Sequence, residues 1–192
     1  METPLATEPE IRQRIWLELQ RATHDRHHEW RVPVLATVDA DHLPQARTVV
    51  LRQADARLHT LQIYTDSRSP KVAGLLAAPD VVLVFWSKRL GWQLRVRAVA
   101  SVQQSGPEVD AVWERVSQSA AAGDYLAASA PGDSLPDTSD VGSVHTVASQ
   151  PQAMHHLAII TAQVQAIDWL ELARSGHRRA SITSDGWQWR VP

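Results

Sequence analysis

Short runs of β-branched and apolar residues, separated by turn residues, recur along most of this chain. The runs fall at 32–39, 46–53, 58–65, 81–87, 92–102, 157–172, 177–183 and 187–191. Runs of this length with Asp, Gly or Pro between them are typical of antiparallel strands joined by close turns. So many short strands favour an antiparallel barrel or sandwich over a doubly wound sheet.

Other segments have the periodicity of helices. Apolar residues recur at helical spacing over 9–30, and the other face of that segment is polar. Ser69 suits an N-cap and Pro70 suits the first helical position, which predicts a second helix. Residues 107–119 are expected to form a third. The segment 120–152 is rich in Ala, Ser, Gly, Pro and Asp, which predicts a long irregular connection.

Composition limits the class of protein. The 192 residues, 44% of them hydrophobic, predict one domain over 1–192 that ends in a set of strands at 155–192. A net charge of -2 argues against a general nucleic-acid binder. With no cysteine there is no disulfide, thiolate catalyst or Cys-rich zinc site. No apolar run is long enough for a signal peptide or a membrane span, so we expect a cytoplasmic protein.

The most informative residues lie at 47–52 and 64–71. In the first stretch, strand alternation would send Arg47 and Arg52 to opposite faces. The second stretch leaves a strand and enters a helix N-terminus, where free N–H groups and Lys71 would favour an anion. Because Arg47 could add a two-pronged contact, this turn is a candidate phosphate site.

These residues stand in the order of a known flavin-binding signature. The parts are Arg47-Thr-Val-Val-Leu-Arg52, Tyr64-Thr65, Ser69-Pro70-Lys71, Phe85-Trp86, Gln93-Leu-Arg-Val-Arg-Ala98, Asp168-Trp169 and His177-Arg-Arg179. Together they resemble the pyridoxamine 5'-phosphate oxidase family over 32–192. The resemblance implies an α+β fold, mainly β with flanking helices: an antiparallel split β-barrel of the FMN-binding type. It also implies FMN as cofactor and a homodimer with the FMN sites at the subunit interface.

The resemblance implies a role for each site residue. Arg47 and Lys71 would hold the FMN phosphate with help from Ser69, and Gln93 would hydrogen-bond the flavin. The backbone of Thr48, Val49 and Val50 would face the isoalloxazine edge, and the cofactor would also be lined by Arg52, Tyr64, Thr65, Arg68 and Pro70. Trp169 and Arg179 would arrive from the partner subunit, with the arginine stabilising the reduced flavin.

The chain departs from the family pattern at several positions. Pro70 replaces the Arg that precedes the phosphate-binding Lys, so either Arg68 substitutes or the phosphate has one contact fewer. Ser175 replaces the first Arg of the family's Arg-x-His-x-Arg motif. These losses affect the vitamin B6 site more than the flavin site. They favour an FMN-dependent oxidoreductase acting on an unidentified small molecule, with His177 as the one candidate for proton transfer.

Three other interpretations remain. Split barrels of this kind can carry flavin or haem without turnover, as stores or sensors. An oligonucleotide-binding barrel would need exposed aromatic residues on a basic strand face, which the acidic balance argues against. His24 and His28 have the spacing of helical zinc ligands, but a third ligand is missing and a solvated helix face is favoured. We therefore expect no metal site.

Overall fold

A computed structural model describes residues 7–134, 155–184 and 186–192 of the chain. Over these residues it forms a nine-stranded sheet and three α-helices. The strands are β1 (Val34–Val38), β2 (Pro44–Thr48), β3 (Leu51–Asp55), β4 (Thr60–Asp66), β5 (Asp80–Ser87), β6 (Trp92–Gln103), β7 (Leu157–Glu171), β8 (Arg178–Thr183) and β9 (Trp187–Arg190). The helices are α1 (Glu8–His24), α2 (Pro70–Ala77) and α3 (Pro107–Val116), with 3-10 helices at Glu29–Arg31 and Ala120–Tyr125.

The sheet is antiparallel throughout, in the order β2-β1-β5-β6-β7-β4-β3, and β8 and β9 branch from β7. The long strand β7 pairs with β4 through its first half and with β8 through its second half, while β6 pairs with both halves. The predicted mainly β fold with flanking helices is confirmed. No helix among the described residues is long and apolar enough to cross a bilayer.

The core lies between the inner face of the sheet and α1. The apolar face of α1, including Ile11, Ile15 and Leu19, is fully buried. Trp92 and Trp169 are also in the core and meet edge-to-face, with ring centroids 5.3 Å apart. The buried tryptophans therefore contribute to the packing of the core.

One predicted strand is wrong in an informative way. The run 46–53 is two strands, because β2 ends at Thr48 and β3 begins at Leu51. Strand β2 pairs with β1 at one end of the strand order, and β3 pairs with β4 at the other end. The two residues between them carry the chain from one edge of the sheet to the other.

Other predictions need smaller corrections. The first helix ends at His24, so His28 is not on the same helix; its Nε2 lies 2.8 Å from Glu18 Oε2. Part of the predicted irregular segment is ordered as the 3-10 helix Ala120–Tyr125. The remainder from 135 to 152, and Asp185 in the last predicted turn, lie outside the described residues.

A buried carboxylate fastens α1 to the sheet. Glu18 is fully buried and contacts Arg14, Arg89 and His28, of which Arg89 lies in the turn between β5 and β6. Burial alone would raise the pKa of Glu18, but the hydrogen bond with His28 and the charges of Arg89 and Arg14 lower it overall. The ionised form is therefore the one that the fold stabilises.

We predict that Glu18→Gln lowers the free energy of unfolding by about 2 kcal/mol near neutral pH, since a neutral amide cannot replace the buried carboxylate in its charge-assisted contacts with Arg14 and Arg89. Because the folded pKa of Glu18 lies below its usual 4.5, this contribution is present above that pH and is lost as the pH falls through the folded pKa. Urea denaturation at several pH values measures it. The matched control is Glu114→Gln on the exposed face of α3, and an equal effect of both variants would contradict the prediction.

Candidate functional site

Four predicted cofactor-binding residues meet at the N-terminus of α2. We call Arg47, Thr65, Ser69 and Lys71 the α2 corner. Lys71 Nζ donates to Thr65 Oγ1 at 2.8 Å and to Ser69 Oγ at 2.7 Å. Arg47 Nη1 donates to Thr37 Oγ1 at 2.6 Å, which holds the guanidinium over β1. The structure thus brings these residues together from two strands and a helix.

Local sequence explains this placement. Thr65 and Tyr64 are adjacent on β4 and point to opposite faces, so Thr65 is buried toward Lys71. Ser69 stands at the N-cap of α2 with an extended backbone, and Pro70 begins the helix, where its missing N–H costs nothing. Lys71 follows in the first turn, beside the helix amides that have no partner within the helix.

The α2 corner holds more positive charge than its surroundings neutralise. Burial lowers the pKa of Lys71, and the neighbouring charge of Arg47 lowers it further, while Asp66 opposes both. Burial also lowers the pKa of Arg47. Among the described residues, neither cation lies within ion-pair distance of a carboxylate. Two partly buried cations with hydroxyl neighbours form a donor set that suits a phosphomonoester.

The structure does not support Arg68 as a phosphate ligand. Its guanidinium donates to both carboxylate oxygens of Asp66, through Nε at 3.1 Å and through Nη2 at 2.7 Å. It also donates to the carbonyl oxygens of Ala127 and Ala128. The hydrogen bond with Asp66 raises the pKa of Arg68. Four of the five N–H groups of Arg68 are therefore engaged within the chain, which argues against Arg68 replacing the arginine that Pro70 displaces.

A second group lies on the outer face of β3 and β4. The Arg52 guanidinium lies 5.6 Å from the centroid of the Tyr64 ring and is close enough to the hydroxyl of Tyr125 to influence its pKa. Burial raises the pKa of Tyr125, and Arg52 opposes this. Arg52 Nε is buried with no hydrogen-bond partner among the described residues. Sequence reasoning missed Tyr125; the one signal was a single aromatic residue in a segment of small residues.

The residues between β2 and β3 separate the two groups. Val49 N donates to Pro33 O at 3.0 Å, whereas the amide of Val50 makes no hydrogen bond with the described residues. Thr48 is exposed and Val50 is half-buried. The break in the strand therefore leaves a backbone donor available between the α2 corner and Arg52.

The other predicted residues lie elsewhere. Trp169 is fully buried in the protein's own core, so its predicted contact with a cofactor on another subunit is wrong. Gln93 and Arg179 both flank Leu170 in the sheet, Gln93 on β6 and Arg179 on β8. Arg179 is held by Asp168 through two hydrogen bonds, and this contact raises its pKa. His177 is exposed just before β8.

Comparison with known proteins identifies the fold class. A pyridoxamine 5'-phosphate oxidase-related, FMN-binding protein from Nostoc punctiforme has a TM-score of 0.70 at 19% identity, covering 99% of this chain and all of that chain. PhzG from Burkholderia lata has a TM-score of 0.71 at 17% identity, covering 99% of this chain and 96% of that chain. At these identities the likeness concerns the fold, which is the split β-barrel that the sequence predicts.

Sequence comparison gives the family. Residues 13–104 match the family described as "Pyridoxamine 5'-phosphate oxidase, FMN-binding domain". The pyridoxine/pyridoxamine 5'-phosphate oxidase of Thermosynechococcus vestitus is 35% identical over 115 residues, which are 59% of this chain and 52% of that protein. That of Azorhizobium caulinodans is 40% identical over 79 residues, 41% of this chain and 36% of that protein. Over these residues the chain is similar to the pyridoxamine 5'-phosphate oxidase family, and its matches span about half or less of these relatives' length.

We predict that the amine of Lys71 titrates below the usual pKa of lysine, 10.5, because burial and Arg47 both disfavour its charge. Lysine-selective NMR after reductive methylation measures this directly. The chain has one other lysine, Lys88, and Lys88→Arg assigns the two signals. Arg47→Ala should move the Lys71 titration upward; no movement would show that the two charges do not interact.

Proposed function

We propose that the α2 corner binds the phosphate of FMN. The observation that carries this proposal is the pair Arg47 and Lys71, two partly buried cations with depressed pKa values and no carboxylate within ion-pair distance among the described residues. A phosphate dianion would neutralise both, and the hydroxyls of Thr65 and Ser69 would complete its hydrogen bonds. The family match over 13–104 supports the same cofactor.

The flavin ring would extend from the corner along the break between β2 and β3. There the Val50 amide offers a hydrogen-bond donor, and the Tyr64 ring and the Arg52 guanidinium would line one side of the flavin. We propose that Gln93 and Arg179 reach the flavin from a second copy of the chain. Gln93 on β6 and Arg179 on β8 belong to strands that pair with neither β2 nor β3. A homodimer would bring these residues to the other copy's site.

We propose that the protein is a cytoplasmic FMN-dependent oxidoreductase. Bound FMN would supply two-electron redox chemistry, and the chain would bind and orient the flavin and its substrate. The curated relatives are oxidases of pyridoxine or pyridoxamine 5'-phosphate. Ser175 stands where the family's first substrate arginine belongs, so a different small molecule is the favoured substrate.

We expect Arg47→Ala combined with Lys71→Ala to abolish FMN retention, because the phosphate loses both of its cationic contacts. Each single variant should weaken FMN binding about tenfold to a hundredfold, the range for one charge-assisted hydrogen bond. Flavin fluorescence titration of the apoprotein measures the dissociation constant. Lys88→Ala, at an exposed lysine, is the matched control.

If the double variant bound FMN as tightly as the unmodified protein, the phosphate assignment would be wrong. Riboflavin sharpens the test, because it lacks the phosphate. The double variant should bind riboflavin as well as the unmodified protein does, whereas loss of riboflavin binding too would indicate a damaged barrel rather than a lost phosphate contact.

An oxygen electrode separates an enzyme from a flavin store. We expect FMN-loaded protein to consume oxygen continuously with a reduced amine or a nicotinamide donor, and to reoxidise between turnovers. A single stoichiometric reduction with no turnover across a donor panel would favour the non-catalytic alternative. Tight haem binding with a Soret band, in place of flavin binding, would reject the proposed cofactor.

A further inference from the structure

The segment that follows the second 3-10 helix runs beside the N-terminus of α2, next to Arg68 and Pro70. We call residues 126–134 the strap. Its carbonyls at Ala127 and Ala128 accept hydrogen bonds from Arg68, at 2.9 and 3.1 Å. Further along, a Cβ on Gly132 would lie 3.4 Å from Pro70 Cγ. The strap thus touches the residues on both sides of Ser69, whose hydroxyl accepts from Lys71.

Within the described part of the chain, the side chain of Arg68 attaches the strap. Among the described residues, the only hydrogen bonds that join 127–134 to the rest of the chain are the two from Arg68. The other bonds of this segment are internal, within a turn where Ala130 and Asp133 bond each other. Asp66 holds Arg68 in place through two hydrogen bonds, so the attachment point is rigid.

The start of the strap is fixed more firmly. Tyr125 is 6% exposed and belongs to a small hydrophobic cluster with Val109, Val112 and Leu157. Its carbonyl accepts from His156 N at 2.8 Å, and its hydroxyl lies near Arg52. Tyr125 is anchored in packing, whereas Arg68 alone hydrogen-bonds residues 127–134 from elsewhere in the described part of the chain. Opening should therefore occur at Arg68 and pivot near Tyr125.

We infer that Arg68 is a positioning residue that keeps the strap across the N-terminus of α2 and so controls how fast a phosphate-bearing cofactor enters and leaves. This rests on the proposed function, in which the FMN phosphate occupies the α2 corner. Arg68 does not contact the phosphate. It acts through the strap, which must move aside for exchange.

Rates of FMN exchange distinguish a gate from a ligand. Arg68→Ala should raise both the association and the dissociation rate of FMN about fivefold or more, the factor for losing one net hydrogen bond, and should change the dissociation constant little. Lys71→Ala should raise the dissociation rate and leave the association rate nearly unchanged. Stopped-flow fluorescence measures both rates, with Arg57→Ala at an exposed turn as the matched control.

The outcomes are separable. If the unmodified protein does not bind FMN, the proposed function fails. If it binds, and Lys71→Ala weakens it while Arg68→Ala leaves both rates unchanged, the function stands and the gate is wrong. An Arg68→Ala protein that raises only the dissociation rate would make Arg68 a direct phosphate ligand, which also overturns the inference.

A crosslink that holds the strap against α2 tests the opposite change to Arg68→Ala, which would free the strap. The chain has no cysteine, so Pro70→Cys with Gly132→Cys gives one defined pair. A Gly132 Cβ would lie 3.4 Å from Pro70 Cγ, so the two positions are adjacent. Mass spectrometry of the oxidised protein verifies that the disulfide forms before the rates are measured. In the oxidised protein both rates should fall at least tenfold and recover on reduction. The reduced form is its own control for strain at Gly132, whose φ is +98°. Equal rates in both forms would overturn the gate.

Discussion

The two-residue connection between β2 and β3 is the constraint on which the site depends. These strands lie at the two ends of the strand order, and only Val49 and Val50 connect them. The connection fixes Arg47 near one edge and Arg52 near the other, one facing the α2 corner and one facing Tyr64. Two cations five positions apart in sequence therefore serve two different environments, because the chain changes edges between them.

Electrostatics then distinguishes these environments. At the α2 corner, burial disfavours the charges of both Lys71 and Arg47, and the charge of Arg47 further disfavours that of Lys71, so an incoming anion gains from both. On the other side of β4, Arg52 is stabilised by an aromatic ring and a tyrosine hydroxyl. Nearby, Asp66 forms an ion pair with Arg68 and lies beyond ion-pair distance of Lys71.

The sequence predicted those structural features that depend on residues close together along the chain. The strand periods, the Ser69-Pro70 helix start and the grouping of Arg47 with Lys71 were all visible there. What failed depends on tertiary contacts. Nothing near Trp169 in sequence shows that Trp92 packs against it, and nothing near Arg68 shows that Ala127 lies within reach. The break at 49–50 was missed because strand propensity does not report which partner a strand chooses.

Strand β4 carries Tyr64 and Thr65 side by side, one serving the aromatic wall and the other the lysine. A register slip of one residue along β7 would exchange their faces, placing the phenol against the ammonium and the hydroxyl against the guanidinium. Insertions in the β3–β4 turn, near Arg57, leave this pairing untouched, whereas a single insertion within β4 reverses it. Loop length at the hairpin tip is thus free to vary, while strand length is not.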